Sequence, residues 1–443
     1  MNNDSKTGNS KTDRFVKDGN VFDELKRRGF VAQTTDPEPL YEMLGKEPVT
    51  FYIGFDPTAD SLHVGHLMGV MAMSHMQKFG HRPIAIVGGG TAMVGDPSGK
   101  TEMRKLMTRD MIVSNTEKLK AQLSRYINFD ADRAMLVDNY DWLGSLNYIE
   151  FLRDIGRHFS VNKMLTYETY KRRLETGLSF LEFNYQLLQS YDFYMLYKKY
   201  DCKLQMGGDD QWANILAGAD LIRRMEGGDA YGHTFPLITT ASGQKMGKTE
   251  AGALWLDPAK TSPYDYYQYW VNIDDRDVIK CLSFFTFLPM DEIDAIADLQ
   301  GVQFNVAKTV LAFEATKLTH GGKAAQDSLT AAMAAFGARE IPADFLPSSS
   351  IPRGALRASE KSIPAVELTA SVLDARPKVT ELFGDYKLTA SRGEARRLIQ
   401  QGGVYVNDQR VADIDAVLTT ADVVDGKVAV RIGKKKHYHI LIK

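Results

Sequence analysis

Across the first half of the chain, short apolar runs ending in glycine alternate with longer stretches of helical periodicity. Tyr52 and Ile53 read as the end of a buried strand, Gly54 lets the backbone turn, and Asp56-Pro57-Thr58 supplies turn chemistry. His63-Val64-Gly65-His66 then opens an apolar helix, Leu67 to Phe79, which Gly80 ends before a second β-like run, Ile84 to Val87. This is a strand-helix-strand unit and predicts an α/β sheet. Glycines recur where strands end, as Gly88-Gly89-Gly90 after Val87 and as Gly207-Gly208 after the run Cys202 to Met206. Open α/β sheets hold ligands at such carboxyl ends.

The remaining pattern is mostly helical. Val21 to Gly29 reads as a short amphipathic helix, Asp138 to Phe159 as a loop and helix, and Val161 to Arg173 as a basic helical stretch. The last two form an expected insertion between the halves of the sheet. Phe183 to Phe193 is helical and puts Tyr185, Gln189 and Asp192 on one face. That face is either the wet side of a surface helix or a partly buried stripe whose polar groups need partners. Aromatic helices fill Ser262 to Phe285, and helical character continues through Leu311 to Leu318 and Ala324 to Phe336. Pro342 to Pro352, with three serines, reads as a linker and Val366 to Leu373 as a small helix. At the C-terminal end, Ser391 caps a helix Arg392 to Gln401, followed by a strand Val404 to Asn407 and the lysine-rich segment Gly433 to His439.

Composition narrows the class. At 443 residues, 44% hydrophobic and 25% charged, the chain has the make-up of a globular protein of two or three domains. No apolar run approaches the roughly 20 residues of a membrane span, and Met1 to Asn20 lacks the apolar stretch of a signal peptide. It reads as a disordered extension. Two cysteines, Cys202 and Cys281, support neither a disulfide framework nor a zinc site and fit a reducing, cytoplasmic setting. The net charge of −2 is unevenly spread: Arg376 to Lys443 holds 13 basic and 8 acidic residues, leaving −7 for the rest. A polyanionic partner at the C-terminal end follows. A basic helix with Arg392, Arg396 and Arg397 beside Lys434, Lys435 and Lys436 suits a phosphate backbone more than base edges.

Taken singly, the chemical motifs stay open. A helix N-terminus with His63 and His66 is either an anion site or an ordinary polar helix start. Gly95-Asp96-Pro97-Ser98-Gly99-Lys100 lacks the spacing of a Walker phosphate loop. Lys100 and Arg104 read either as a solvated face or as a loop closing on phosphates. Asp210 after Gly208 is either a helix cap or a ribose ligand. Lys245-Met246-Gly247-Lys248 places two ammonium groups on a short loop, which suits a transient polyphosphate or a plain surface.

In order, F-Y-I-G-F-D-P-T-A-D-S-L-H-V-G-H, V-G-D-P-S-G-K, N-Y-Q-L-L-Q-S-Y-D-F, Q-M-G-G-D-D-Q-W and K-M-G-K-T resemble the bacterial-type tyrosyl-tRNA synthetases, from about Val21 to Lys443. H-V-G-H and K-M-G-K-T stand where class I synthetases carry their two signatures. The resemblance implies a Rossmann-like catalytic domain over 21–250 with an insertion at about 138–180 that makes a homodimer, and a helical domain over 251–341. A linker over 342–375 and a small α+β S-four-type RNA-binding domain over 376–443 follow. It implies activation of tyrosine by ATP and transfer to tRNA(Tyr), with Mg2+ accompanying ATP and no metal site in the protein. Thr58 and His63 would meet the phosphates, with His66 and Gly65 beneath the nucleotide. Lys100, Arg104, Lys245 and Lys248 would close over the leaving pyrophosphate. Gly54, Asp56, Gly208 and Asp210 would serve the nucleoside, Asp210 toward the ribose. Asp96, Tyr185 and Gln189 would take the substrate ammonium, Gln211 its carboxylate end, and Tyr52 with Asp192 the phenol. A tryptophanyl or other class I synthetase, and a non-catalytic RNA-binding protein on the same fold, are the alternatives.

Overall fold

The computed structural model describes residues 19–96, 107–249, 252–301, 303–337, 340–353, 365–433 and 436–443. The loop with Lys100 and Arg104, and Lys434 and Lys435, lie outside these residues, as does nearly all of the expected N-terminal extension; the side chains of Lys248 and Lys436 are likewise outside. The chain divides into two compact units. One comprises 1–248, 253–260 and 279–293, the other 249–252, 261–278 and 294–443.

The first unit is built on a six-stranded sheet of β1 (Gln33–Thr34), β2 (Thr50–Phe55), β3 (Arg82–Val87), β4 (Met135–Asp138), β5 (Cys202–Gly208) and β6 (Tyr231–Phe235), in the order β1-β6-β5-β2-β3-β4. Only β1 pairs antiparallel. Strands β2 and β3 are buried on both faces over nearly their whole length, as parallel strands covered by helices must be. The crossover between them, α2 (Val64–Lys78), is apolar almost all round and buried from Val64 to Gln77 apart from Gly65 and His66. From β2 the chain runs outward through β3 to β4, and then returns to lay β5 on the other side of β2. The carboxyl ends of β2 and β5 therefore flank the point where the strand order reverses, the usual ligand crevice of such sheets.

The sequence reading starts a helical domain at 251; in the packing, 279–293 groups with the first unit. Arg28, at the end of α1 (Val21–Arg28) and 2% exposed, is one of the residues that tie this segment in. Its guanidinium donates to Glu24 at 2.7 Å and to the carbonyls of Ser283, Thr286 and Leu288 at 2.9, 3.2 and 2.6 Å. The planar fork thus satisfies three carbonyls of the returning segment, and Phe30 packs edge-on against Phe284 at 5.1 Å.

In the second unit, α6 (Gln303–His320) packs with the helices Pro263–Val271 and Gly322–Phe336. The stretch expected to be a linker is ordered against α6. Ser349 Oγ and Ser350 N and Oγ all donate to Glu314 Oε1, at 2.7, 2.8 and 3.0 Å, while Leu346 and Ile351 are buried. The serines serve a buried carboxylate, a use that composition alone does not reveal. The C-terminal sheet contains β7 (Ala365–Leu368), β8 (Val404–Val406), β9 (Gln409–Arg410), β10 (Lys427–Ile432) and β11 (Lys436–Ile442), ordered β9-β8-β10-β11-β7. Residues 366–368, the start of the stretch Val366 to Leu373 expected to be helical, pair with β11 instead, together with Ala365. Only the short turn Ala370–Asp374 that follows is helix. Along β10, Val428, Val430 and Ile432 point to a core shared with Leu382, Phe383, Ile399 and Ile440.

Replacing Arg28 with Met is expected to lower unfolding free energy by about 3 kcal/mol, because it strands three buried carbonyls and the Glu24 carboxylate. Urea denaturation checks this; a loss within about 0.5 kcal/mol, the ordinary surface range, would refute it.

Candidate active site

A continuous hydrogen-bonded network lies at the carboxyl ends of β2, β3 and β4. Asp56, just past the end of β2, receives the Thr91 hydroxyl and the Tyr185 hydroxyl, each at 3.4 Å. Thr91 Oγ1 accepts from Asn139 Nδ2 at 3.0 Å, and the same amide donates to Asp192 Oδ2 at 2.9 Å. Trp142 Nε1 donates to Asp192 Oδ1 at 2.8 Å, and Asn139 Oδ1 accepts from Gly90 N at 2.7 Å. The Gly-Gly-Gly turn after β3 is needed for this packing: a Cβ on Gly88 would stand 2.2 Å from Asp56 Oδ1. Tyr185 and Asp192 sit on α4 (Phe180–Tyr200), started by a reciprocal cap between Ser179 and Glu182. Both are buried, so the polar stripe of this helix is an internal one.

Asp192 is 3% exposed. Burial pushes its pKa up to about 7, against the opposing pull of the Asn139 and Trp142 donors and with help from the charges of Asp56 and Asp138. Beside it, Tyr52 is 2% exposed and packs on Phe193 at 5.3 Å. Burial, and next the charge of Asp192, hold its hydroxyl well above the ordinary phenol range. No hydrogen-bond partner for that hydroxyl exists among the described residues. The sequence reading named Tyr52 and Asp192 together, and the structure puts Tyr52 within electrostatic reach of that carboxylate; Asn139, Trp142 and Thr91 were missed. An Asn and a Trp near the start of a predicted loop carried no recognisable signal.

A second cluster lies nearby. Gln211 Nε2 donates to Asp96 at 2.9 Å, and Asn214 Nδ2 donates to Gln189 Oε1 and Gln211 Oε1 at 2.9 and 3.2 Å. Asn214, on α5 (Trp212–Glu226), was also missed. Asp210 precedes that helix without acting as its cap. Burial and the charge of Asp96 raise its pKa, while Lys245 pulls it down, which puts the lysine loop within electrostatic reach of this carboxylate.

The helix start differs from expectation. Its first three amides are already taken: Val64 N donates to Leu254 O at 3.0 Å, Gly65 N to His63 Nδ1 at 3.0 Å, and His66 N to His63 O at 2.8 Å. His66 Nδ1 in turn accepts from His63 N at 3.1 Å, and the two rings lie 4.0 Å apart. The backbone amides that the sequence reading left free for an anion are therefore already occupied. Because each Nδ1 accepts, each neutral ring carries its proton on Nε2, a hydrogen-bond donor. Thr58 and Gly54 are exposed at the mouth of the crevice. Lys245 is exposed too, and Met246 beside it is buried against Cys281. A cavity of about 40 Å³, lined by His158, Lys163, Gln186, Asp220 and Arg224 among others, lies apart from these residues. It is of water size.

In the C-terminal region, Arg396 and Arg397 are exposed on α7 (Arg392–Gln400), whereas Arg392 is held by a bidentate pair with Asp385 at 2.9 and 2.6 Å. Gly433 N donates to Gly403 O, bringing the end of this helix beside the turn that precedes β11. Arg431 lies 3.6 Å over the Tyr405 ring, and Arg410 packs on Gly402. These three residues were not anticipated; their grouping arises from strand register, with Tyr405 opposite both arginines.

Comparison with known proteins agrees with this geometry. Residues 44–337 match the family of class I tRNA synthetases (W and Y), and 356–441 match the tyrosine-tRNA ligase SYY-like C-terminal domain. The parallel sheet, its crevice and these matches define a class I tRNA synthetase of the tryptophan and tyrosine group. The tyrosine-tRNA ligase of Desulfatibacillum aliphaticivorans is 55% identical over 96% of this chain and 99% of its own length. That of Clostridium botulinum (strain Loch Maree / Type A3) is 54% identical over 96% and 100%. A C-terminally truncated mitochondrial tyrosyl-tRNA synthetase of Aspergillus nidulans superposes with a TM-score of 0.63 at 31% identity, covering 71% of this chain and 93% of that one. The chain belongs to the tyrosine-tRNA ligases.

The buried carboxylate gives a pH signature. With its folded pKa raised to about 7 from 3.8, Asp192 contributes stability below pH about 4 that is lost as pH rises to 7, because the unfolded chain ionises first. Asp192→Asn removes this dependence. The stability difference between parent and variant is expected to shift steadily against the parent from pH 4 to 7; a constant difference in denaturant titrations would refute it.

Proposed function

We propose that this crevice carries both steps of tyrosine-tRNA ligation, with tyrosine selected at its floor and ATP phosphates handled at its mouth. The observation that carries the reading is the buried Tyr52 hydroxyl, without a hydrogen-bond partner among the described residues, beside the Asp192 carboxylate. A substrate phenol can accept from the first and donate to the second. As is established for tyrosyl-tRNA synthetases, phenylalanine is rejected because it leaves such buried groups unpaired. Asp96, Tyr185 and Gln189 take the substrate ammonium and Gln211 meets its carboxylate end. Gly54, Asp56, Gly65, Gly208 and Asp210 face the nucleoside.

The tyrosine carboxylate attacks the ATP α-phosphorus, the bond to the pyrophosphate oxygen breaks, and tyrosyl-adenylate remains. Charge accumulates on the leaving phosphates, and catalysis consists of positioning and of donors aimed at that charge. Thr58, the Nε2–H of His63 and of His66, and the ammonium groups of Lys245 and Lys248 fill this role, joined by Lys100 and Arg104. Mg2+ arrives with ATP; the described residues hold no cluster of three or more His, Cys, Asp or Glu suited to a metal. The terminal ribose hydroxyl of tRNA(Tyr) then displaces AMP.

The C-terminal α+β region acts as an S-four-type RNA-binding domain, with Arg396, Arg397 and Lys434 to Lys436 on phosphates. Arg392 contributes less, being paired with Asp385. Ile149 and Phe180, 69% and 70% exposed, with Leu152 and Val161, give the insertion an apolar face that suits the interface of a homodimer. Among the described residues no helix is long and apolar enough to cross a membrane, and the enzyme works in the cytoplasm.

Exchange of pyrophosphate into ATP is expected with tyrosine; exchange with tryptophan alone would indicate the other branch of the group, and none with any amino acid a non-catalytic RNA-binding protein. His63→Ala is expected to slow exchange on the order of 100-fold at unchanged tyrosine affinity. Equal loss of tyrosine affinity would assign His63 to the fold. Alanine at both Arg396 and Arg397 is expected to weaken tRNA binding and flatten its salt dependence by about two charges while exchange stays intact; an unaltered salt slope would remove them from the RNA contact.

A further inference from the structure

We infer that Trp255 is a positioning residue that fixes the His63 imidazole for adenylate formation; this rests on the phosphate role of His63 proposed above. Residues 254–257 run as a short antiparallel tie beside 61–64. Leu256 N donates to Leu62 O at 2.9 Å, Val64 N to Leu254 O at 3.0 Å, and Asp257 N to Ser61 Oγ at 3.2 Å, with Trp255 directly opposite His63. The same tie reaches the lysine loop, because Leu254 N donates to Gly247 O at 2.7 Å. Gly247 has φ +80°, and a Cβ there would stand 2.8 Å from Val64 Cβ, so this loop residue lies directly on the helix start. Both signature segments are thereby fastened to one strip of backbone.

The side chain of Trp255 adds what the backbone does not. Its ring meets the His63 ring edge-on at 5.8 Å, and His63 stacks on His66 at 4.0 Å. Trp255 is itself held from a third direction: Lys260 Nζ lies 4.9 Å over its ring, and Lys260 pairs with Asp60, which Lys118 of α3 (Arg109–Leu123) also reaches at 3.3 Å. The capping hydrogen bond through Nδ1 anchors one edge of the imidazole, and ring contacts bear on its plane. Contacts from Trp255 on one side and His66 on another define it, and with it the direction of the Nε2–H. A donor to developing charge is sensitive to such placement, since an error near 1 Å can cost about 100-fold.

The test is a double-mutant cycle on the full-length protein, reading the single-turnover rate of tyrosyl-adenylate formation, tyrosine affinity and thermal melting. Trp255→Ala is expected to slow adenylate formation about 10-fold with tyrosine affinity within about two-fold. Trp255→Phe, which keeps an aromatic edge, restores most of the rate. Combined with His63→Ala, Trp255→Ala adds no further slowing. A Trp255→Ala rate equal to the parent's, or slowing that multiplies with that of His63→Ala, overturns the inference while leaving His63 in place. A His63→Ala rate equal to the parent's overturns the reading of His63 and this inference together. Should Trp255→Ala melt at assay temperature, Lys260→Met decides: slowing that disappears in the His63→Ala background supports the inference, and an unchanged rate refutes it.

Discussion

A carboxylate at the centre of a folded protein must have partners, and Asp192 obtains them by drawing together elements far apart in sequence. Both of its oxygens are occupied, by an amide from Asn139 and an indole from Trp142. Asn139 also holds Thr91 and the Gly90 amide, and Thr91 reaches Asp56. One desolvated charge therefore sets the relative positions of the ends of β2, β3 and β4 and the middle of α4. The neighbouring Tyr52 hydroxyl is buried in the same place without a hydrogen-bond partner among the described residues. An unsatisfied polar atom of this kind costs stability, which a ligand able to bond with it restores.

The mouth of the crevice follows a different logic. There the helix start has its amides capped from within, and the side chains nearby that can carry positive charge are the two imidazoles and the exposed Lys245. On the proposed function, rigid hydrogen-bonded selection at the floor and charged side chains at the rim suit two different tasks. Distinguishing one aromatic amino acid from another requires fixed donors and acceptors. Escorting a departing polyphosphate requires charge that can move with it.

Much of the fold was readable where a segment's own pattern decides its state. The strand and apolar helix around His63, the glycine turns after β3 and β5, and the cap at Ser391 stand where periodicity and capping chemistry put them. Reading by local pattern failed where a distant partner made the decision. Ser349 and Ser350 look like linker residues until Glu314 supplies their acceptor. Residues 366–368 have no strand signal strong enough to outweigh a helical reading, and become a strand because the edge of β11 is available. Residues 279–293 look like part of a helical domain, yet three of their carbonyls are claimed by Arg28.

The sequence by itself determined the strand-loop-helix unit from Tyr52 to His66, the identity of the chemical groups, and their order along the chain. Those are properties of short segments: turn residues, alternation, caps and side-chain chemistry. Tertiary structure alone decided which groups meet. It chose Asn139 and Trp142 as the donors to Asp192, turned the polar stripe of α4 inward, and spent the first amides of α2 on Leu254 and His63. The physical reason is that hydrogen-bond satisfaction in a desolvated interior is a property of the whole packed arrangement, and a partner 50 residues away leaves no mark on the local pattern.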